Sequence, residues 1–393
     1  MKKVLAILMV LAMLMPAFAM AEEPVTLLIW EGETELEFMK AAAAKYTELH
    51  PNVSFEFSAV SHTDAVQKLE LDGPTGLGPD VFAAPHDKMG QMAVGELVLP
   101  NPYAAEMEGN FVDAAITAMS YGGEVLGYPL TVETYALFYN KALIETAPTT
   151  WEEVIAFCKE YNDPANDQFG IVWEVNAPYY NYMFLSAYGA ELFGPEGTDA
   201  AAHNINTPEA IKGMEYFASL KEQILPVNGA DLTGDFCNAL FMDSQKTAMY
   251  ITGPWSITSA LNAGVDLGVT TIPMLPDSET PPTSFSGIRG LFVSSFSENP
   301  EVAQDFANFI VSKEMLELRY EMLDTLTPRT DIPAKDAYNA GILEQMVYAK
   351  PMPPIPQMDQ YWTTMGSAFP NIWNGADVAA ELNTAAEAME AVQ

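Results

Sequence analysis

Cysteine and histidine are scarce in this chain, with two of the first and four of the second among 393 residues. The histidines stand far apart, at 50, 62, 86 and 203, and none has a second His or Cys at the short spacing a zinc or iron site uses. No metal centre of that kind is expected, and no cofactor motif appears. Neither Ser-His-Asp nor Cys-His nucleophile chemistry has a local motif. Cys158 and Cys237 allow one disulfide or two free buried thiols, and the sequence leaves both open. Basic residues are also few: 17 Lys and Arg against 53 Asp and Glu, a formal net charge of -36. Such a surface repels nucleic acid and anionic membrane, and it disfavours anionic ligands unless a local basic site overrides the field. Neutral and cationic ligands remain.

Long apolar runs are missing too, except at the start. Lys2 and Lys3 precede the apolar stretch Val4 to Met15, followed by Pro16 and the small-residue end "PAFAMA", with A-x-A sites ending at Ala19 and Ala21. The run is too short to span a bilayer comfortably, so residues 1–21 read as a cleaved secretory signal. No cysteine follows the cleavage region, so a lipid anchor is not expected. The mature protein would work in a periplasm or at the cell surface.

The remaining length suggests two domains, or one with a large insertion. "VTLLIW" (25–30), "VSFEFSAV" (53–60) and "PDVFAAP" (79–85) read as strands, separated by an amphipathic helix over 35–50 and another over 63–71. That alternation predicts parallel βαβ units and an α/β class. The pattern breaks near residue 130, where "VLGYPLTVETYALFYNKALI" offers two strand-like runs hinged on Pro129 and Glu133. Helices follow, with a capping box from Thr150 to Glu153, a Thr207 cap before Pro208, and an Asn299 cap before Pro300. "TAMYITGPW" ends a strand-like run on a Gly-Pro break. The Pro- and Ser-rich stretch 276–284 reads as an exposed loop, a second Pro-rich patch at 350–358 introduces the C-terminal helices, and no internal repeat is present.

"GPDVFAAPHDKMG", "GYPLTVETYALFYNKALI", "TWEEV", "TAMYITGPW" and "PPIPQMDQYW" stand in the order and at the approximate spacing found in maltose/maltodextrin-binding proteins. The chain resembles that family, the extracellular sugar-binding subunits of ABC importers, over nearly its whole mature length. The resemblance implies a two-lobed periplasmic-binding-protein-like fold with a hinged cleft between the lobes. By analogy the first lobe comprises 24–131 plus 287–334, and the second 132–286 plus 335–393. It further implies a monomer that captures maltose or maltodextrins and delivers them to membrane permease subunits, without enzymatic activity.

Carried over residue by residue, the family's site is only partly present. Glu33, or Glu31, would supply the carboxylate of the loop after the first strand, with no lysine beside it. Ala84 stands where an aromatic platform is expected, but Asp87 and Lys88 keep the charged pair that follows. Glu133 matches a cleft glutamate, Tyr179 a cleft tyrosine, and Trp255 and Trp362 stacking tryptophans. Ala177, Thr363 and Gly366 replace family polar or aromatic groups. Arg289 stands where an aliphatic residue is usual, and is either a site residue or an ion-pair partner.

These residue types suit a pyranose. Aromatic rings cover its C–H face, while carboxylates, amides and guanidinium groups satisfy the hydroxyl rim. Each assignment has a plainer alternative: Trp255 as packing, Tyr180 or Tyr182 in place of Tyr179, Asp87 as a helix cap, Glu133 as a solvated hinge residue. Outside the family, a secreted glycoside hydrolase or a same-fold binder of another oligosaccharide fits the composition.

Overall fold

In the computed structural model, residues 23–195 and 197–391 are described; the expected leader, 1–21, lies outside them. Strand β1 (Val25–Glu31) pairs in parallel with β2 (Val53–Ala59) on one side and with β3 (Val81–Pro85) on the other. The helices Leu36–Leu49 and Ala65–Asp72 make the two crossovers, so the expected βαβ units are formed. A small hairpin, β4 (Ser120–Tyr121) with β5 (Glu124–Val125), precedes β6 (Gly127–Thr134), β7 (Ala136–Asn140), β8 (Phe169–Val172), β9 (Thr247–Thr252), β10 (Leu267–Thr270), β11 (Phe285–Val293) and β12 (Lys350–Pro351).

Two main sheets result. The first has the order β12-β11-β3-β1-β2, with β6 also paired to β11, and the second has the order β10-β7-β9-β8. The chain passes from first to second sheet between Thr134 and Ala136, and returns through β11. Strand β11 runs antiparallel to both β3 and β6, with an irregularity between Arg289 and Gly290. A bulge of this kind re-aims a side chain and bends the strand.

Alternation with period two divides the first sheet's core. Ile29, Val81 and Leu291 face one helical layer with Phe38, Met39 and Phe306, while Trp30, Phe82 and Phe292 face the other with Val66 and Leu69. The second sheet has a separate core around Phe138, Trp151, Trp173, Phe184, Phe217 and Trp373. Four of the six tryptophans, Trp30, Trp151, Trp173 and Trp373, are thus consumed by packing.

Local signals explain several helix starts. The Thr150 hydroxyl accepts from the Glu153 amide and the Thr207 hydroxyl from the Ala210 amide. The Glu153 carboxylate reaches back to the Thr149 amide at 2.7 Å. Asn299 is a correction: it stands at the N-terminus of Pro300–Ile310 but its side chain makes no capping bond. Its backbone, at φ -126° and ψ 52°, lies outside the extended conformation that Thr150 and Thr207 adopt when they cap. Both cysteines are buried and free.

Helix Pro208–Ile224 supports helix Pro178–Leu185, and Gly213 makes that approach possible. A Cβ there would lie 2.0 Å from the Phe184 carbonyl oxygen. Gly213→Ala should therefore destabilise the ligand-free protein by about 1–3 kcal/mol, read as a lower denaturation midpoint at unchanged m-value. A loss below about 0.5 kcal/mol, the range of neutral surface substitutions, would show that the helices are not so closely packed.

Candidate functional site

The parallel strands β1, β2 and β3 end at one edge of their sheet, where open α/β sheets collect ligands. β6 and β11 carry the chain from that edge to the second sheet. The cleft between the sheets therefore has a polar floor built on strand ends and an opposing wall built on helix starts.

Arg289 forms the centre of the floor. Its Nη2 lies 2.9 Å from Glu31 Oε1 and 3.0 Å from Glu35 Oε1, and all three side chains are buried. Arg319, from helix Lys313–Leu323, grips Glu35 from the other side through Nε at 3.0 Å and Nη2 at 2.9 Å. This two-pronged geometry is the strong form of a guanidinium–carboxylate contact. Burial pushes the Glu35 carboxyl up, but Arg289 and Arg319 outweigh it and hold it at about 2. At Glu31 burial wins over Arg289, so its carboxyl is raised. Burial works against the Arg289 charge, yet Glu31, Glu35 and Glu133 keep its pKa raised.

Thr131 faces Arg289 across the ladder, and Glu133, two residues on, projects from the same face. Glu133 is half-buried, and desolvation raises its carboxyl against the pull of Arg289 and Arg319. Glu33 is exposed on the turn Glu33–Glu35, between the two buried carboxylates. Arg289 is thus an ion-pair partner at the cleft floor. Three polar atoms of this region, Glu31 Oε2, Asp87 Oδ1 and Arg289 Nε, are buried without a hydrogen-bond partner. Orphans of this kind are rare in folded proteins and suit ordered water or a hydroxyl-bearing guest.

The turn His86–Lys88 follows β3. Ile288 N–H donates to His86 Nδ1 at 3.1 Å, which leaves the proton on Nε2, 3.0 Å from the Met352 carbonyl. Burial lowers the His86 pKa, consistent with a neutral ring. Beside it, Asp87 accepts from Trp362 Nε1 at 3.0 Å, and Lys88 pairs with Asp359. Asp359 and Trp362 are one turn apart on helix Met358–Trp373, so one helical face meets both residues. Asp87 is not a helix cap: no side-chain capping bond is made at this turn or at the helix after it. Ala84 is fully buried in β3, which leaves no platform there.

The facing wall is aromatic. Trp255 stands on the turn Pro254–Ser256 after β9 and is 42 % exposed, unlike the core tryptophans. Its ring lies over Gly253, where a Cβ would come within 2.2 Å of it. The Gly-Pro break thus lays one ring face on bare backbone and leaves Trp255 at the surface. Tyr179, half-buried at the start of helix Pro178–Leu185, has its ring 6.2 Å from Trp255 and 6.2 Å from Phe285. Phe285 continues the row to Trp362, 5.8 Å away. Tyr180 and Tyr182 are buried, at 5 % and 3 % exposure, and Tyr182 stacks on Phe285 at 3.7 Å.

Sequence reasoning missed Glu35, Arg319, Asp359 and Phe285. The two glutamate–arginine partners lie on separate helical segments and carry no shared motif. Phe285 gains its place only from strand pairing with β12 and stacking by helix Pro178–Leu185.

A polar floor and an aromatic wall, carried on two α/β lobes and facing each other across a cleft, define a solute-binding protein of the hinged, two-lobed type. The chain belongs to the bacterial extracellular solute-binding protein family, whose model matches residues 41–343. It is 30% identical over 376 residues to a galactooligosaccharide-binding protein of Bacillus subtilis, covering 92% of this chain and 88% of that one. A maltodextrin-binding protein of the same organism is 27% identical, covering 84% of this chain and 81% of its own. A solved cyclo/maltodextrin-binding protein complexed with maltotetraose superposes with a TM-score of 0.80 at 30% identity, covering 94% of this chain and 97% of the other. Among the described residues no helix is long and apolar enough to cross a membrane.

The buried ion cluster sets a pH limit. Glu35 is depressed from 4.5 to about 2, so its contribution to stability is complete above pH 4.5 and is lost as the pH falls towards 2. Glu35→Gln leaves Arg319 without its carboxylate and should cost about 3–5 kcal/mol at neutral pH. Its melting temperature should also vary less between pH 4.5 and 2 than that of the wild type. Equal slopes for the two proteins in that window would refute this role.

Proposed function

We propose that the protein captures a neutral oligosaccharide, of the maltose and maltodextrin type, in this cleft and delivers it to the permease subunits of an ABC importer. The carrying observation is the exposed Trp255 in a row with half-buried Tyr179 and Trp362, opposite a floor of charged hydrogen-bonding groups. Trp255, Tyr179 and Trp362 would cover sugar faces. Asp87, Lys88, Glu133 and Glu33 would take the hydroxyl rim, and Arg289 would hold the floor in shape. Hydrogen bonds to charged groups contribute about 1.5–3 kcal/mol each. The names of the relatives support an oligosaccharide.

We take 24–131 with 287–334 and 132–286 with 335–393 as the two closing bodies. Their separate cores support this division, as does the passage of only a few segments between them. Closure would follow from ligand contacts available only when both bodies engage. The reading is of binding without bond cleavage, by an exported monomer that needs no cofactor. Its support is that Glu31 and Glu35, the buried carboxylates of the floor, are committed to arginines rather than placed as an acid and base.

A second reading, a galacto-oligosaccharide ligand, is favoured by the 30% identical relative and by the small Ala84 at the platform position. Calorimetry of the mature protein against maltose, maltotriose, longer maltodextrins and β-galactosyl oligosaccharides separates the two. Binding to α-glucans supports the first; binding only to galactosides selects the second. With whichever sugar binds, Trp255→Ala should weaken affinity by about tenfold or more and leave the apo melting temperature nearly unchanged. A large loss of apo stability would show that Trp255 is packing.

A further inference from the structure

Three loops leave the ligand-facing edge of the first sheet, after β1, β2 and β3. Those after β1 and β3 supply Glu31, Glu33, Glu35, Asp87 and Lys88. The loop after β2, "VSHTD", has no role assigned so far. It is tied to the same edge, because Val60 N–H donates to the Glu31 carbonyl at 3.0 Å. The loop is also locally fixed. Asp64 N–H reaches the Ser61 carbonyl at 3.0 Å, and the Ser61 and Thr63 hydroxyls lie 2.8 Å apart.

His62 is the half-buried residue of this loop, between exposed Ser61 and exposed Thr63. It makes no hydrogen bond or ion pair with any described residue, whereas His86 uses both ring nitrogens. The ring is nevertheless within electrostatic range of Arg289, Glu35 and Arg319, the floor of the cleft. Burial, and secondarily Arg289, lower its pKa to about 3, so the ring is uncharged at neutral pH. A neutral imidazole offers one N–H donor and one acceptor, the same pairing a sugar hydroxyl offers. Neither ring nitrogen is sealed off from solvent, so both are open to a ligand hydroxyl.

We propose that His62 is a ligand-contacting residue, hydrogen-bonding through its free ring nitrogens to a hydroxyl of the saccharide unit seated on the first lobe. This inference rests on the reading of the cleft as an oligosaccharide site. It predicts a preference for uncharged polyhydroxylic ligands at this position, set by a residue outside the aromatic row and the ion cluster.

The test uses the full mature chain and the sugar that the wild type binds most tightly in the panel above. His62→Ala should weaken binding by about two- to tenfold, the range expected of one hydrogen bond. The apo melting temperature should not move, and His62→Asn or His62→Gln should recover part of the affinity. With 15N-labelled histidine, saturating sugar should shift the ring nitrogens of His62, which four histidines make simple to assign. Unchanged affinity in His62→Ala together with unshifted ring nitrogens overturns the inference and leaves the sugar site intact. An affinity loss that tracks a fall in apo melting temperature, unrelieved by Asn or Gln, assigns His62 to packing and also overturns it. Failure of the wild type to bind any sugar in the panel removes the underlying reading instead.

Discussion

The Arg289 ion cluster holds together more of this molecule than any other contact. It joins the end of β1 through Glu31, the start of the first crossover helix through Glu35, and helix Lys313–Leu323 through Arg319, all against β11. Four charges removed from water are tolerable only as a complete set, since any one left alone carries its full desolvation cost. The set is also internally balanced, two carboxylates against two guanidiniums. Within a chain of net charge -36, this cluster adds no excess of negative charge of its own to the cleft floor.

The two lobes also recognise each other. Asp87 receives the Trp362 indole N–H, and Lys88 meets Asp359 across the cleft. A guest that uses Asp87, Lys88 and Trp362 must exchange these contacts for its own, so the affinity it shows is the difference between the two sets. Near the same place, a Cβ on Gly90 would come within 2.7 Å of Pro356 and 2.9 Å of the Pro354 carbonyl. The proline-rich segment 350–358 therefore packs closely on the first lobe before it introduces the C-terminal helices. It begins as edge strand β12 and lies against the helix that follows Lys88.

What could be read from the sequence follows the range of the interaction involved. Strands β1 to β3 and their crossover helices were legible because their apolar periodicity is local. The Thr150 and Thr207 caps were legible because a cap is decided within four residues. The Gly-Pro break before Trp255 was visible as a turn, yet only the contact between ring and Gly253 explains why that tryptophan stays outside the core. Arg289 was legible as an anomaly in an apolar strand, but its partner Glu35, and the Arg319 that shares that carboxylate, come from distant helical segments that nothing in the local pattern links to it. Asn299 had the right residue type at the right place and still does not cap. The fate of Cys158 and Cys237 depended on three-dimensional distance alone.

The first sheet is completed by a strand that the chain makes late. β3 has β1 on one side, but its other neighbour, β11, does not exist until residues 285–293 have emerged, after the whole second sheet. Until then the edge of β3 stands unpaired, with Phe82 and Val81 on either face, and Glu31 and Glu35 have no Arg289 to neutralise them. A chain leaving a ribosome therefore cannot complete its first sheet before every strand of its second sheet has emerged. The unfinished intermediate combines an open strand edge, which invites association, with two uncompensated carboxylates where its partner strand will dock, which keep that edge wet and poorly suited to burial against another chain.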